Sequence, residues 1–235
     1  MNSSNGLPRQ IPLRFGNFQQ YDFDSFLPQD NERLFALLAQ IATGQSQHHV
    51  YIWGPASTGK SHLLQAVCKK ASESEMQVAY VPLDHIADFS PEMLHDLGTL
   101  DLVCIDALEN VVAYRDWQQS LVWLYNELRD NRRSLLIAGR ESPQTTRLEL
   151  EDLRSRLGWD QVFQIRQVND DIKKGIMKQH AANHAYELPE DVIDYLIHRV
   201  DRDMSSLISL LDKLDEASLA EKRKITIPFI KTIIG

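Results

Sequence analysis

Residues 54–61 of the chain, GPASTGKS, have the pattern of a phosphate-binding loop, G-x-x-x-x-G-K-[ST]. The glycines of this pattern let main-chain N–H groups approach phosphate oxygens, and the helix that follows adds positive potential at its N-terminus. We expect Lys60 to reach the β- and γ-phosphates and the Ser61 hydroxyl to bind Mg²⁺. The predicted nucleotide site contains Gly54, Pro55, Ala56, Ser57, Thr58, Gly59, Lys60, Ser61 and His62.

A second candidate for nucleotide chemistry is Asp106, which ends the apolar run LVCI at residues 102–105. A carboxylate delivered by a buried strand is suited to bind phosphate-bound Mg²⁺ through a water molecule. In many nucleotide hydrolases a second acid follows at once and polarises the attacking water, but here the next residue is Ala107. Glu109 could be a displaced base, although a side chain that leaves the strand there is expected to point elsewhere. The pattern therefore predicts nucleotide binding without an obvious group for cleavage.

The elements that position these residues can be read from hydrophobic patterns. Short apolar runs predict strands, and helical patterns lie between them, with Asp116 as a candidate N-cap. Alternating strands and helices are typical of an α/β fold with a parallel sheet covered on both faces. The predicted strands are 50–53, 78–83, 102–105, 134–139 and 162–165, and the predicted helices are 31–42, 61–72, 116–130 and 148–157.

The same patterns divide the chain into three parts. Residues 1–20 show no helical or strand period and are predicted to be a flexible arm. Residues 21–167 contain the strand and helix alternation, and residues 168–235 contain only helical stripes. In that last part Pro189 is expected just inside a helix and Thr226 is expected to cap the closing helix.

Composition excludes several classes of protein. The chain has 235 residues, 43% hydrophobic and 25% charged, which is ordinary for a globular protein. Its formal net charge of −8 argues against non-specific DNA binding, which depends on Lys and Arg neutralising phosphates. No apolar run approaches the roughly 18–20 residues that span a bilayer, and the N-terminus lacks a signal-peptide core, so we expect a cytoplasmic protein without a membrane partner. Cys68 and Cys104 are expected to be buried, reduced thiols.

Two further patterns need an explanation. The arm sequence RQIPLRF at residues 9–15 places Ile11, Leu13 and Phe15 in an otherwise polar segment, which predicts that a partner buries them.

His180 and His184 have the i, i+4 spacing of a metal-binding pair. The sequence shows no acidic residue or third ligand beside them, so we interpret them as ordinary surface histidines.

A resemblance to a known family adds to this interpretation. GKSHLLQA at residues 59–66, preceded by YDFDSF at 21–26 and by Asn31, resembles the ATPase module of the bacterial replication initiator DnaA. Over essentially its whole length the chain resembles the Hda family of DnaA-homologous regulators. The segments that carry this second resemblance are QIPLRF (10–15), LVCID (102–106), DLRSRLGW (152–159), LPEDV (188–192) and KITIPFIK (224–231).

The resemblance implies a fold and a function. It implies an AAA+ base domain with sheet order 5-1-4-3-2, a helical lid domain, and an adenine nucleotide, ADP or ATP, bound with Mg²⁺. It also implies that the protein acts with the DNA-loaded sliding clamp, the β subunit of DNA polymerase III, to promote hydrolysis of ATP bound to DnaA and so prevent re-initiation. Contact with DNA is then indirect, and a homodimer or larger homo-oligomer stays an open alternative.

The resemblance further implies roles for individual residues. Gln10, Ile11, Leu13 and Phe15 match a clamp-binding peptide. Arg156 falls at the arginine finger of the family, acting on the nucleotide of another subunit. Gly54–Ser61 and Asp106 match the nucleotide motifs, and Lys213 aligns with the lid position that holds a sensor arginine in DnaA.

Some positions depart from the family pattern. The sensor position after the fourth strand is usually a small polar residue, whereas this chain has Ala138 and Gly139. Lys213 is a point charge and matches a phosphate less well than the planar guanidinium of arginine. Together with Ala107, these departures predict slow intrinsic hydrolysis. The interval between Leu83 and Leu102 is too short for the extra helix pair of initiators, and we expect no helix-turn-helix domain after Gly235.

Two alternative functions stay open. The chain could be a self-sufficient AAA+ ATPase such as a helicase loader, which measurable turnover stimulated by single-stranded DNA would favour. It could also be an adaptor that tethers other proteins to the clamp and needs no arginine finger. Variants of the arm and of Arg156 would separate the adaptor from the regulator, because an adaptor depends on the arm alone.

Overall fold

The computed structural model describes Phe23 and residues 31–166, 169–184, 186–199 and 204–234. Within these residues five strands form one parallel sheet in the order β2-β3-β4-β1-β5, which confirms the predicted α/β class and sheet order. The strands are β1 (His49–Trp53), β2 (Val78–Pro82), β3 (Leu102–Asp106), β4 (Ser134–Gly139) and β5 (Gln161–Gln164).

Helices connect the strands and form the C-terminal part of the chain. The base contains α1 (Glu32–Ala42), α2 (Lys60–Glu73), α3 (Arg115–Asp130) and α4 (Glu151–Leu157), and the C-terminal part contains α5 (Asp170–Asn183), α6 (Glu190–Arg199), α7 (Met204–Glu221) and α8 (Ile227–Ile234). Short 3-10 helices lie at Leu83–Asp88, Pro91–Leu97 and Leu108–Val111. No helix in the described part of the chain has the length and apolar content needed to cross a membrane.

The helix ends correct some sequence predictions and confirm another. Asp116 is not the N-cap of α3, because Tyr114 occupies that position and the Asp116 Oδ1 accepts a hydrogen bond from the Trp117 N–H inside the first turn, at 2.9 Å. Pro189 precedes α6 instead of lying inside it, and α5 was not predicted. Thr226 does cap α8, since its Oγ1 accepts from the Phe229 N–H at 3.4 Å.

Neighbouring residues of a strand point to opposite faces of the sheet, and because helices pack against both faces, strands β1 to β4 are largely buried. One face packs against α1 and α2 and includes the buried thiols of Cys68 and Cys104. The other face packs against α3, α4 and the 3-10 helices. The strand residues of the first face are Val50, Ile52, Val78, Leu102, Cys104, Leu136 and Ala138, and those of the second are Tyr51, Ala79, Val81, Val103, Ile105, Leu135 and Ile137.

The C-terminal helices have a separate hydrophobic core. The predicted apolar stripes of α6 and α7 meet here, together with one residue of α5 and two of α8. The core members are Met177, Val192, Ile193, Leu196, Ile197, Leu207, Leu211, Leu214, Ile225, Phe229 and Ile230. A helical unit with its own buried core agrees with the predicted change of organisation after the sheet.

The first residue of the phosphate-loop pattern must be glycine because of packing as well as because of phosphate binding. Gly54 follows β1 between two neighbouring strand ends, and its N–H donates to the Gly139 carbonyl at 3.2 Å. A Cβ on Gly54 would lie 2.1 Å from the main-chain oxygen of Ile165. Because backbone atoms cannot move aside as a flexible side chain can, the close approach of these segments requires glycine.

We therefore expect Gly54→Ala to destabilise the protein before any ligand is added, by about 1–3 kcal/mol, the usual range for overpacking. Chemical denaturation of the ligand-free protein measures this. Gly158→Ala is the matched control, since Gly158 directly follows α4 but a Cβ there would meet its nearest atom, the Ser155 oxygen, at 3.5 Å. Equal stability of the two variants would contradict the packing argument.

Candidate functional site

The parallel sheet brings the candidate nucleotide residues to one edge. Gly54 follows the carboxyl end of β1, Asp106 ends β3 and Gly139 ends β4. Since ligands of open parallel sheets bind outside the carboxyl ends of the strands, this edge is the expected binding position. The predicted loop and the predicted carboxylate therefore lie on the same side of the molecule.

The loop backbone has the conformation that exposes amide donors. Ser57 and Gly59 both have positive φ, at 59° and 84°, and Gly59 occupies the N-cap of α2. A helix leaves its first N–H groups without intrahelical acceptors, and no side chain in the described chain caps α2. Ser61 is exposed in the first turn and His62 is half-buried beside it. This arrangement suits a phosphate group.

Lys60 closes the loop with its own side chain. The buried ammonium donates to the carbonyls of Gly54 and Pro55 at 2.8 and 2.7 Å, and it lies 3.3 Å from the Thr58 Oγ1. Thr58 in turn donates to the Pro55 carbonyl at 3.0 Å. A buried ammonium is tolerated only when acceptors surround it, so these contacts stabilise the loop as well as preparing a cation for phosphate.

Asp106 is a buried carboxylate whose two oxygens both accept hydrogen bonds. The Tyr80 hydroxyl donates to Oδ2 at 2.7 Å and the Ala107 N–H donates to Oδ1 at 2.8 Å. Burial and the adjacent Asp106 carboxylate raise the pKa of Tyr80 well above its ordinary value, so Tyr80 stays a donor. The sequence did not predict Tyr80, because its place beside β3, paired with Cys104 two residues before Asp106, follows from the β2–β3 register.

The residue after Asp106 turns away from the strand direction. Ala107 has φ 59° and ψ 48°, a left-handed conformation, and starts the 3-10 helix Leu108–Val111. Glu109 lies in that short helix and pairs with Arg140, Oε1 to Nε at 2.6 Å. Its carboxylate is therefore already engaged with the residue after β4.

The two residues predicted at the sensor position, Ala138 and Gly139, end β4, and a neighbouring side chain fills the space beside them. Ala138 is fully buried, and a Cβ on Gly139 would lie 2.5 Å from the Tyr51 hydroxyl oxygen. That hydroxyl donates to the Glu141 carbonyl at 2.7 Å, which holds the ring in place. A polar side chain at position 139 would thus displace Tyr51.

The side chain of Arg156 does not project freely into solvent. Its side chain is 13% exposed and lies between two aromatic rings, 4.9 Å from the Trp159 centroid and 5.8 Å from that of Tyr125. Nη2 pairs with the Asp152 Oδ2 at 3.1 Å, and Nε is buried with no hydrogen-bond partner among the described residues. The guanidinium is packed against its own subunit.

The surroundings of Arg156 belong to the opposite edge of the sheet from the phosphate loop. It lines a small cavity together with His49 and Leu135, which lie at the amino ends of β1 and β4. A strand of five residues spans roughly 13–17 Å, so β1 separates this cavity from Gly54. Arg156 is thereby directed away from the nucleotide edge of its own chain.

A larger cleft of about 410 Å³ adjoins this region. Its wall is basic, with three arginines near the exposed Trp159, and burial lowers the pKa of His49 to about 4 so that its ring is neutral. The lining residues are Gln47, His48, His49, Tyr125, Arg129, Arg132, Arg133, Trp159 and Asp160. The amino edge of the base therefore carries a group of three arginines beside an exposed tryptophan.

The remaining candidates lie elsewhere. Lys213 is exposed on α7, and the predicted clamp-binding residues Gln10, Ile11, Leu13 and Phe15 lie outside the described residues. The expectation that His180 and His184 have no third ligand beside them is wrong. Asp212 of α7 lies next to them, a contact that sequence spacing could not reveal because it joins two separate helices.

Comparisons with known proteins agree with this architecture. A family model described as the bacterial DnaA ATPase domain matches residues 18–164, and one described as the lid domain of Hda matches residues 170–234. Domain III of the replication initiation protein DnaA from Thermotoga maritima superposes with a TM-score of 0.72 at 21% identity, over 90% of this chain and 94% of that chain.

Two further solved structures show the same fold. DnaA from Aquifex aeolicus, bound to AMPPCP, has a TM-score of 0.67 at 22% identity, over 86% of this chain and 70% of that one. A RuvB variant from Thermotoga maritima has a TM-score of 0.62 at 18% identity, over 92% of this chain and 72% of that one. At these identities the likeness establishes the AAA+ fold.

The contacts of Lys60 predict an effect on the ligand-free protein. Lys60→Ala should lower the free energy of unfolding by about 1–3 kcal/mol, because buried loop carbonyls lose their donor. Lys69→Ala, a half-buried lysine on the same helix, is the control and should change stability little. Both are measured by urea denaturation without nucleotide. If Lys60→Ala were as stable as the control, the ammonium would not be holding the loop.

Proposed function

The chain belongs to the bacterial DnaA ATPase-domain family of AAA+ proteins and carries an Hda-type lid, and on that premise we propose that it is a cytoplasmic, nucleotide-binding regulator of replication initiation. Together with the DNA-loaded sliding clamp, it stimulates hydrolysis of ATP bound to DnaA and so prevents re-initiation. Its contact with DNA is indirect, through the clamp.

The nucleotide of this chain is an adenine nucleotide with Mg²⁺. The amide donors at the start of α2 and the Lys60 ammonium suit the phosphates. Ser61 offers an exposed hydroxyl and Asp106 a buried carboxylate, which are the oxygen ligands that Mg²⁺ prefers. Because both Asp106 oxygens already accept hydrogen bonds, water-mediated contact with the ion is the better fit. When bound, the ion would neutralise phosphate charge.

The observation that carries the proposal concerns the side chains beside the nucleotide loop. Among the described residues, none of those at the expected positions is suited to promote ATP hydrolysis. Ala107 offers no carboxylate, Gly139 cannot take a polar side chain without moving Tyr51, and Glu109 is paired with Arg140. A site built in this way binds and retains nucleotide better than it hydrolyses it. The bound nucleotide then acts as a structural ligand of the base and lid.

Arg156 supplies the catalytic contribution to a partner. Its place at the amino edge supports action across an interface, since its own phosphate loop lies at the other edge. Arginines that stabilise charge on a transferring phosphoryl group in another subunit accelerate hydrolysis by about 10³–10⁵ in known systems. DnaA would provide the residue that positions the attacking water.

The role of Arg156 is tested by its substitution in a full hydrolysis assay. Arg156→Ala should keep nucleotide and clamp binding but lose stimulation of the hydrolysis of DnaA-bound ATP on clamp-loaded DNA, because the guanidinium acts on the transition state. Arg156→Lys should also lose it, since an ammonium does not reproduce the planar fork. Arg154→Ala, two residues away on another face of α4, is the control and should lose less.

Other outcomes would select the alternatives. Stimulation by Arg156→Ala equal to that of the parent protein would remove the finger and favour the clamp-tethered adaptor. Brisk basal turnover that rises with single-stranded DNA and disappears in Lys60→Ala would favour the helicase-loader-like ATPase.

The clamp is proposed to bind the arm. Leu13 and Phe15 would be apolar anchors in a groove of the clamp and Gln10 a polar contact that fixes register, with Ile11 between them. Changing Gln10, Leu13 and Phe15 together to Ala should abolish co-elution with the clamp and leave the thermal unfolding curve of the protein unchanged. Persistent co-elution would show that the clamp binds elsewhere.

A further inference from the structure

Histidine and aspartate side chains, which are residue types that can bind metal ions, lie close together between α5 and α7 of the C-terminal part. His180 lies in the last turn of α5 and His184 is its C-cap residue, and their imidazole rings stack at a centroid distance of 4.4 Å and an interplanar angle of 15°. Asp212 and Asp215 face them from α7. His180 Nε2 lies 3.1 Å from the Asp212 Oδ1, and His184 Nδ1 lies 3.8 Å from the Asp215 Oδ2.

We propose that His180, His184 and Asp212 bind a divalent transition-metal ion of the Zn²⁺ class and that this ion joins α5 to α7. One ligand atom from each of these side chains lies within 4.8 Å of the other two. Two imidazoles and one carboxylate are a ligand set that Zn²⁺ accepts, with water in the fourth position, whereas Mg²⁺ prefers oxygen ligands alone.

The required rearrangement is small. Tetrahedral ligands at 2.0–2.1 Å from Zn²⁺ lie about 3.4 Å from one another. The His180 and Asp212 atoms already meet that spacing, at 3.1 Å. The side chains of His184 and Asp212 are 47% and 49% exposed, so they can rotate toward an ion without disturbing the lid core.

The less mobile ligand has a supporting partner. The His180 side chain is 13% exposed, and its Nδ1 lies 3.4 Å from the Tyr186 hydroxyl. Metal-binding histidines commonly use the second ring nitrogen in a hydrogen bond that fixes the ring. With an ion on Nε2, the ring proton resides on Nδ1 and is donated to the Tyr186 oxygen, so a neutral His180 binds the ion by a change of tautomer without net release of a proton.

The charges of the cluster also suit a cation. Burial lowers the pKa of His180, against the opposing effect of Asp212, and so favours the neutral imidazole that a metal requires. Coulombic repulsion from the closely stacked His184 ring also lowers the pKa of His180. Asp212 and Asp215 together carry the two negative charges that balance a divalent ion.

The test is metal binding by the full chain without nucleotide. Co²⁺ alone should give the visible absorption of a tetrahedral complex at one ion per chain, and Zn²⁺ should displace it, whereas an excess of Mg²⁺ should not. His184→Ala and Asp212→Asn should each abolish the absorption while leaving the unfolding curve of the metal-free protein nearly unchanged, because both side chains are half-exposed. His198→Ala, an exposed lid histidine on α6, is the control and should behave as the parent.

A second variant separates ligation from simple ion pairing. Tyr186→Phe keeps every proposed ligand but removes the supporting oxygen, and it should weaken Zn²⁺ binding about tenfold in calorimetry. Zn²⁺ should also raise the Tm of the parent and of His198→Ala, and not that of His184→Ala. The proposal would be overturned if Co²⁺ gave no tetrahedral spectrum, or if the spectrum survived in both His184→Ala and Asp212→Asn. The cluster would then be a pair of His–Asp contacts only.

Discussion

The direction of the sheet governs the arrangement of the candidate residues in the base. All described strands run parallel, so the sheet has one edge at which they end and another at which they begin. Gly54 and Asp106 lie at the first edge, and Arg156 lies with His49 at the second. A chain folded in this way separates a nucleotide loop from its own arginine by the length of a strand. Action of Arg156 on a partner is consistent with this separation.

The sequence predicted what depends on local pattern. The apolar runs and the loop motif carry their information within a few residues, so the strands, the base helices and the loop were accessible, whereas the sheet order was implied by the family resemblance. Tyr80 was missed because its contact with Asp106 depends on strand register, and Asp212 because its contact with His180 depends on how two helices meet. The packing of Arg156 was missed for the same reason, since Tyr125 comes from α3.

The departures from a hydrolytic site are structural as well as chemical. Tyr51 occupies the space that a sensor side chain at position 139 would need, and its hydroxyl is tied to the Glu141 carbonyl. Ala107 has a left-handed backbone conformation and directly precedes a short helix. A longer side chain at position 107 would therefore not extend in the direction in which β3 runs. The Asp106 oxygens are already held by Tyr80 and Ala107. Neighbouring residues are thus fitted around these positions, so the proposed slow turnover would depend on the packing and not on one substitution.

The packing of Arg156 does not argue against its proposed role when the energies are compared. Each of the two aromatic contacts is worth about 0.5–2 kcal/mol, and the pair with Asp152 is worth about 0–1 kcal/mol. A finger that accelerates hydrolysis by about 10³–10⁵ stabilises the transition state by about 4–7 kcal/mol. The Arg156 guanidinium could therefore leave the two aromatic rings when a partner presents phosphate charge, because stabilisation of the transition state offsets the loss of these contacts. In this structure the same contacts hold the guanidinium against its own subunit, and under the proposed role a partner's nucleotide site would have to draw it out.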